Sequence, residues 1–225
     1  MTNYILPAIA VLFFNISNVN SQAIKLEKNM LQPVNVFMRA EKLGGVEVIK
    51  VVKDSSLKEV DEPTFVKIKG VDFSNGTIEI KVQSKLLKNA PAFARGFIGI
   101  AFRINDSNTN YESIYLRPTN ARADDQVRRN HSIQYYSYPD FKFDRLRKEA
   151  PERYESYSDM EMEKWITMRI EVKGTQAKLY LDNNKQPSLI VNDLKLGADA
   201  KGGIGLWVDI GTEGYFTGLQ ITNSR

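Results

Sequence analysis

From Val46 onward the chain alternates apolar and polar residues in short runs, each closed by Gly, Asn, Asp or Pro. Val46–Val52 is β-branched and alternating, and Thr64–Val71 sets Phe65, Ile68 and Val71 among polar neighbours. Asn75-Gly76 is a hairpin signal before Thr77–Val82, where Ile78, Ile80 and Val82 share one face. The same pattern marks Arg95–Ile104, Tyr111–Arg117, Ser132–Tyr138, Trp165–Lys173, Ala177–Leu181, Ser188–Val191, Gly203–Ile210 and Tyr215–Thr222. Helical period is almost absent, a short turn at Asp144–Glu149 being the exception. Such spacing predicts an all-β fold, an antiparallel two-sheet sandwich of jelly-roll type.

Side chains point alternately to the two faces of a strand, so the pattern also assigns faces. With Ile98, Ile100, Phe102, Ile104, Ile114, Leu116, Ile133, Ile204, Leu206 and Val208 inward, one sheet should show solvent Arg103, Tyr115, Arg117, Gln134, Tyr136, Trp207 and Asp209. Aromatic rings stack on pyranose faces, while Arg, Gln and Asp bond hydroxyls or a uronate carboxylate. This set is therefore the candidate ligand-binding face, with carbohydrate as partner. The plainer alternative is cross-strand pairing on an ordinary sheet surface.

Composition narrows the classes. A chain of 225 residues with 42% hydrophobic and 26% charged residues supports one sizeable core. A net charge of +4 without a helical, finger or ribonucleoprotein motif argues against nucleic acid. The absence of Cys excludes disulfides, thiol catalysis and thiolate-bound zinc. Ile5–Phe14 is an apolar run of signal-peptide length, too short to span a bilayer, although Met1–Tyr4 lacks Lys and Arg. Small residues at Val19 and Ser21 place cleavage before Gln22, so export to the periplasm or exterior is expected, with no transmembrane segment thereafter. The expected layout is a signal peptide at 1–21, a lead-in segment at 22–45 and one domain at 46–225.

Chemistry concentrates in Tyr111–Glu149, which holds His131, the sole histidine. His131 with Asp124 or Asp125 is the candidate acid/base set for a glycoside hydrolase. A lyase variant would use Tyr135 or Tyr136 with His131, and Arg117 on a uronate. The basic run Lys142, Arg145, Arg147, Lys148 and Arg153 is interleaved with Asp144, Glu149 and Glu152, which reads as a solvated, self-pairing surface, the sharper alternative being a groove for an anionic polysaccharide. With one His and no Cys, the metal these residues allow is hard, Ca²⁺, at Asp124-Asp125 or Asp182-Asn183-Asn184. Gly202-Gly203-Ile204-Gly205 lacks the strand-to-helix setting of a nucleotide loop.

Phe73–Val82 followed by Gly96–Arg103 resembles the early strands of concanavalin A-like lectin/glucanase domains. Trp165–Asp182 resembles the laminin-G-like hairpin of that superfamily. Gly203–Trp207 and Tyr215–Ile221 resemble its closing strands. The likeness, nearest to exported bacterial domains of the 3-keto-disaccharide-hydrolase-like group, spans roughly residues 46–223 and implies a jelly roll that binds or cleaves glycans. It implies no particular activity, because lectins, hydrolases, lyases and non-catalytic adhesion modules share the fold. The glucanases of the superfamily carry Glu-x-Asp-x-Glu on a strand. Here Asp159-Met160-Glu161-Met162-Glu163 departs from that order and precedes Trp165, where a solvated turn is expected. Carboxyls four residues apart on a straight strand lie about 13 Å apart at the backbone, against the ~5 Å that retention requires.

Overall fold

The computed structural model describes residues 22–224. The leader expected at 1–21 lies outside them. Two antiparallel sheets face each other. In chain order the strands are β1 (Gln22–Ala23), β2 (Leu31–Val34), β3 (Val36–Leu43), β4 (Val46–Lys53), β5 (Phe65–Phe73), β6 (Gly76–Leu86), β7 (Ile98–Ile104) and β8 (Tyr111–Leu116). Then follow β9 (Ile133–Tyr138), β10 (Glu155–Ser156), β11 (Ile166–Lys173), β12 (Gln176–Leu181), β13 (Leu189–Val191), β14 (Gly202–Val208) and β15 (Thr212–Asn223). Three short helices, α1 (Pro118–Ala121), α2 (Gln126–Asn130) and α3 (Phe143–Glu149), sit in the connections around β9.

The first sheet runs β13-β12-β11-β6-β15-β4-β3, with β1 added against β15. The second runs β10-β9-β8-β7-β14-β5-β2. The lead-in segment 22–45 is thus built into both sheets, since β2 pairs with β5 and β3 with β4. Between the sheets lies the core the alternation foretold: Ile78, Ile80, Val82, Met168 and Ile170 from one side, Ile98, Ile100, Ile114, Leu116, Leu206 and Val208 from the other, all fully buried. Each such side chain contributes roughly 1.5–3 kcal/mol by leaving water. The Asn75-Gly76 turn joins no hairpin, since β5 and β6 belong to different sheets; it carries the chain from one sheet to the other, with Gly76 at φ +134°, where a Cβ would lie 1.9 Å from the Thr222 carbonyl oxygen.

The expectation of a solvent-exposed outer face on the second sheet is corrected by the structure. Every residue of β7, β8 and β14 except Gly202 is buried, and so is β9 up to Ser137. Their outer face carries an aromatic mat. Tyr115 and Trp207 approach to 4.7 Å across Gly99, whose missing side chain leaves the space, and Tyr136 lies 5.6 Å from Trp207. Tyr111 joins by a 2.8 Å hydroxyl bond to Tyr136 and an edge contact with Phe65. The roof is supplied by connections. Trp207 Nε1 donates to the Glu62 carbonyl at 3.1 Å, and Tyr138 donates to the Glu62 carboxylate at 3.0 Å, fastening residues 54–64 over the rings. Apolar rings of this size do not stay in water when a loop can cover them.

A cleft above the second sheet

The roof is incomplete. Over β8 and β14 a cleft of about 350 Å³ remains, bordered by Val60 and Asp61, by Phe93, Arg95 and Phe97, by Tyr115, Arg117 and Asp209, and by Asn120, Arg128, His131, Phe143 and Arg147. Besides Tyr115 on β8, its residues come from the connections that follow β4, β6, β8 and β14, which meet at one end of the sheet, and from the connection after β9, which leaves the other end and carries α3 back over the face. The strand ends supply a rigid floor and the connections supply the walls.

The floor is a network of charges taken out of water. Asp209 accepts from Lys53 Nζ at 2.6 Å, from Asp61 N at 2.9 Å and from Ile210 N at 2.7 Å, so its carboxylate is compensated on all sides. Asp61, only 1% exposed and held at φ +52°, accepts from Phe143 N at 3.0 Å and bonds the Tyr115 hydroxyl. Burial, and then the neighbouring Asp209 carboxylate, push the Asp61 carboxyl up to about 7. Two buried carboxyls thus stand side by side, and that of Asp61 is near half-protonated at neutral pH.

Arg117 donates to the Tyr115 hydroxyl at 2.7 Å, to Gln134 Oε1 at 3.3 Å and to Glu155 Oε1 at 3.3 Å. Burial opposes its charge, yet Tyr115, Asp61 and Glu155 together raise its pKa. Arg147 meets the same Glu155. His131 Nδ1 lies 2.9 Å from Glu155 Oε2, near enough for an ion pair but off the line of a good hydrogen bond. Burial lowers the His131 pKa; Glu155 opposes this and Arg147 and Arg117 reinforce it, so the ring is neutral at pH 7. The aromatic walls are Phe93, Phe97 and Phe143, and Phe93 is 52% exposed.

Of the residues expected to bind ligand, Tyr115, Arg117 and Asp209 line the cleft, and His131 joins them from the expected acid/base set. Tyr136 and Trp207 lie beneath the loop 54–64 as its bed, and Gln134 is sealed between Arg117 and the Tyr154 carbonyl. Arg103 is elsewhere. A β-bulge opposite Ile204 and a φ of +55° reverse the side to which it points. Its guanidinium donates to the Ser74, Gly174 and Gly197 carbonyls, tying three turns at the far end of the sandwich. Asp124 and Asp125 are exposed and outside the cleft; Asp125 caps α2 by accepting from Arg128 N at 2.9 Å.

Sequence reasoning passed over Asp61, Phe93, Arg95 and Asn120. The available signal was the pair of polar, Pro-containing connections 54–64 and 87–97, too long for hairpin turns between sandwich strands. Phe143 and Arg147 fall in the stretch read as surface. Leu146, buried at one face of α3, docks the helix so that these two reach the cleft. The acidic run Asp159–Glu163 is a turn, as expected, with Asp159 and Glu161 on Arg122. Among the described residues no cluster of three His, Asp or Glu is arranged to hold a metal, and Asp182 Oδ1 is used by Thr167 N. Nor is any described helix long and apolar enough to cross a membrane.

No protein-family model matches the chain, and no curated protein matches it in sequence. Solved structures do. A carbohydrate-binding module, CBM66, from Bacillus subtilis superposes with a TM-score of 0.55 at 14% identity, over 84% of this chain and 93% of that one. A proposed glycosyl hydrolase from Parabacteroides distasonis gives 0.52 at 14% identity, over 86% and 99%. A Bacillus subtilis protein of unknown function with a galectin-like fold gives 0.53 at 10% identity, over 87% and 90%. At these identities the likeness is one of fold: the chain is a jelly-roll sandwich of the architecture that galectin-like proteins share.

Proposed function

We propose that the protein binds carbohydrate in the cleft above β8 and β14, and that it does so as an exported domain. The observation that carries this reading is the half-exposed Phe93 beside a floor of fixed hydrogen-bonding groups, Tyr115, Arg117 and Asn120. An aromatic ring at the lip and rigid polar groups at the base match a sugar's apolar face and its rim of hydroxyls. The volume suits one or two sugar rings at about 350 Å³, so the ligand would enter as a chain end or short oligosaccharide rather than lie across the sheet. The fold shared with a carbohydrate-binding module supports the same reading.

The test is a glycan array, uronates included, followed by titration of the best ligand against Phe93→Ala. A loss of about fivefold in affinity with unchanged stability is expected, since one stacking contact is worth ~1 kcal/mol. Phe37, 65% exposed on β3 in the other sheet, is the control: Phe37→Ala should leave binding intact. An array without binders ends the proposal.

A second reading, glycoside hydrolysis, is favoured by one observation: the carboxyl of Asp61 is raised to about 7 by burial and by its neighbour Asp209. Asp61 would give its proton to the leaving glycosidic oxygen as the anomeric C–O bond breaks. Water would add to the anomeric carbon, its proton passing to the neutral His131. Product release from a polysaccharide panel, lost in Asp61→Asn and in His131→Gln while binding persists, would establish it; binding without release in the wild type refutes it.

A further inference from the structure

Seven of the eleven arginines among the described residues pair with a carboxylate, and so do the two lysines nearest the cleft. Lys53 has Asp209, Lys142 has Glu62, Arg122 has Asp159 and Glu161, and Arg145 has Glu149. Arg117 and Arg147 share Glu155. The cleft holds two exceptions. Arg95, from the connection after β6, donates to the Ala92 and Ala94 carbonyls at 2.7 and 2.8 Å and meets no acid. Arg128, exposed on α2, has a 3.4 Å contact with Asn120 Oδ1 and likewise no carboxylate among the described residues. Neither acid of the floor can serve them: Asp209 is taken by Lys53 and two backbone amides, and Asp61 by Phe143 N and Tyr115.

The two guanidiniums also feel each other. Burial first, and then the charges of Arg128 and Arg117, draw the Arg95 pKa below its usual value. Placing like charges around one partly desolvated cavity is costly unless an anion joins them. Arg117 and Arg147 deepen the excess, since a single carboxylate serves both.

We propose that the cleft selects acidic sugars, with a uronate carboxylate seated between Arg95 and Arg128 while the ring lies against Phe93. The inference rests on the carbohydrate reading above and names its substrate class. Guanidinium is the group suited to it, because its planar fork bonds both carboxylate oxygens. The free cleft is then an anion site waiting for its counter-charge, and affinity should fall as salt rises.

Titration calorimetry decides it, using oligomers of galacturonate, glucuronate and mannuronate, each beside its neutral, carboxyl-reduced counterpart. At least one acidic oligomer should bind tenfold or more tightly than its counterpart. Arg128→Gln should erase most of that difference while leaving the melting temperature unchanged; α2 is exposed, so folding is not at stake. Arg95→Lys, which keeps the charge but loses the fork, should weaken the acidic ligand several-fold. Equal binding of acidic and neutral oligomers, unaffected by Arg128→Gln, overturns the inference and leaves the carbohydrate reading standing. Binding of neither overturns both.

Discussion

The two sheets are built alike and finished differently. The outer face of the first is bare: along β6, Thr77, Glu79, Lys81 and Gln83 alternate with the buried Ile78, Ile80 and Val82. Across strands Glu79 stands opposite Arg169, and Glu171 opposite Lys178. The outer face of the second sheet carries Tyr111, Tyr115, Tyr136 and Trp207 and is roofed. Connection length accounts for the contrast. β3 reaches β4, and β11 reaches β12, by tight turns at Gly44-Gly45 and Gly174-Thr175, whereas residues 54–64, 87–97, 117–132 and 139–154 arch over the second sheet. A bare sheet face encloses little, and the hollow of about 740 Å³ on the first sheet lies at its β3–β4 end, beside residues 24–27, where the lead-in chain lies along it. A roofed one gains concavity wherever the roof is incomplete, which is where the cleft and its perturbed acid are found.

The sharpest way to break that contrast is to remove the bed on which the roof rests. Trp207→Ala deletes a fully buried indole, its contacts with Tyr115 and Tyr136, and the 3.1 Å bond to the Glu62 carbonyl. The expected loss is about 3–5 kcal/mol in urea unfolding. Amide exchange should rise in residues 54–64 before it rises in β6 or β11. A loss under about 1 kcal/mol would mean that the mat is not what holds the loop.

The strand series and the core were legible because alternation reports burial directly when one face is wet. The first sheet satisfies that condition, and β6 and β11 fall where their pattern puts them. In Tyr-Glu-Ser-Ile-Tyr-Leu and Ile-Gln-Tyr-Tyr-Ser-Tyr both faces are buried, so alternation could separate the faces but not tell which was wet. Tyr and Trp are ambiguous at such positions, being able to serve as a sugar platform or as a loop's bed. Arg103 was misplaced for a different reason: a bulge is one residue long and shifts every side chain after it, yet Ala-Phe-Arg-Ile carries no Gly or Pro to announce it. Asp61 and Arg95 were beyond reach because they belong to connections brought together by tertiary folding alone.

A second effect, smaller and dependent on pH, separates the roofed cleft from the bare face. The Asp61 carboxyl releases its proton near 3.8 when unfolded and near 7 when folded. Between those values the native state binds the extra proton, so the contribution of Asp61 is full below about pH 4 and is lost as pH rises to about 7. At 1.36 kcal/mol per pH unit the loss is bounded at roughly 4 kcal/mol. Asp61→Asn keeps an oxygen for Phe143 N and removes the titration. The stability difference between variant and wild type should therefore move in the variant's favour from pH 4 to pH 8, by a few kcal/mol at most. Parallel profiles would show that Asp61 is not raised. Comparing the two proteins cancels the contributions of Glu112, raised by burial, and of His131, lowered by it.

The smallest expected effect lies on the bare face, and its smallness is the point. Arg169 stacks over Tyr180 with its guanidinium 3.9 Å from the ring centroid, and it also pairs with Glu171. By geometry alone this is the tightest cation–π contact in the described molecule, and a count of contacts would rank it with the Tyr115–Trp207 pair. Solvent decides otherwise. Both partners are only half-buried, water already solvates the guanidinium, and the neighbouring Glu171 holds it in place without the ring. A double-mutant cycle of Arg169→Ala and Tyr180→Ala should give a coupling of about 0.5 kcal/mol, with glycan affinity unchanged in all three variants. A coupling of about 2 kcal/mol or more, or any loss of ligand, would mean that this face is covered in the working protein. The asymmetry between the sheets would then belong to the isolated chain and not to its function.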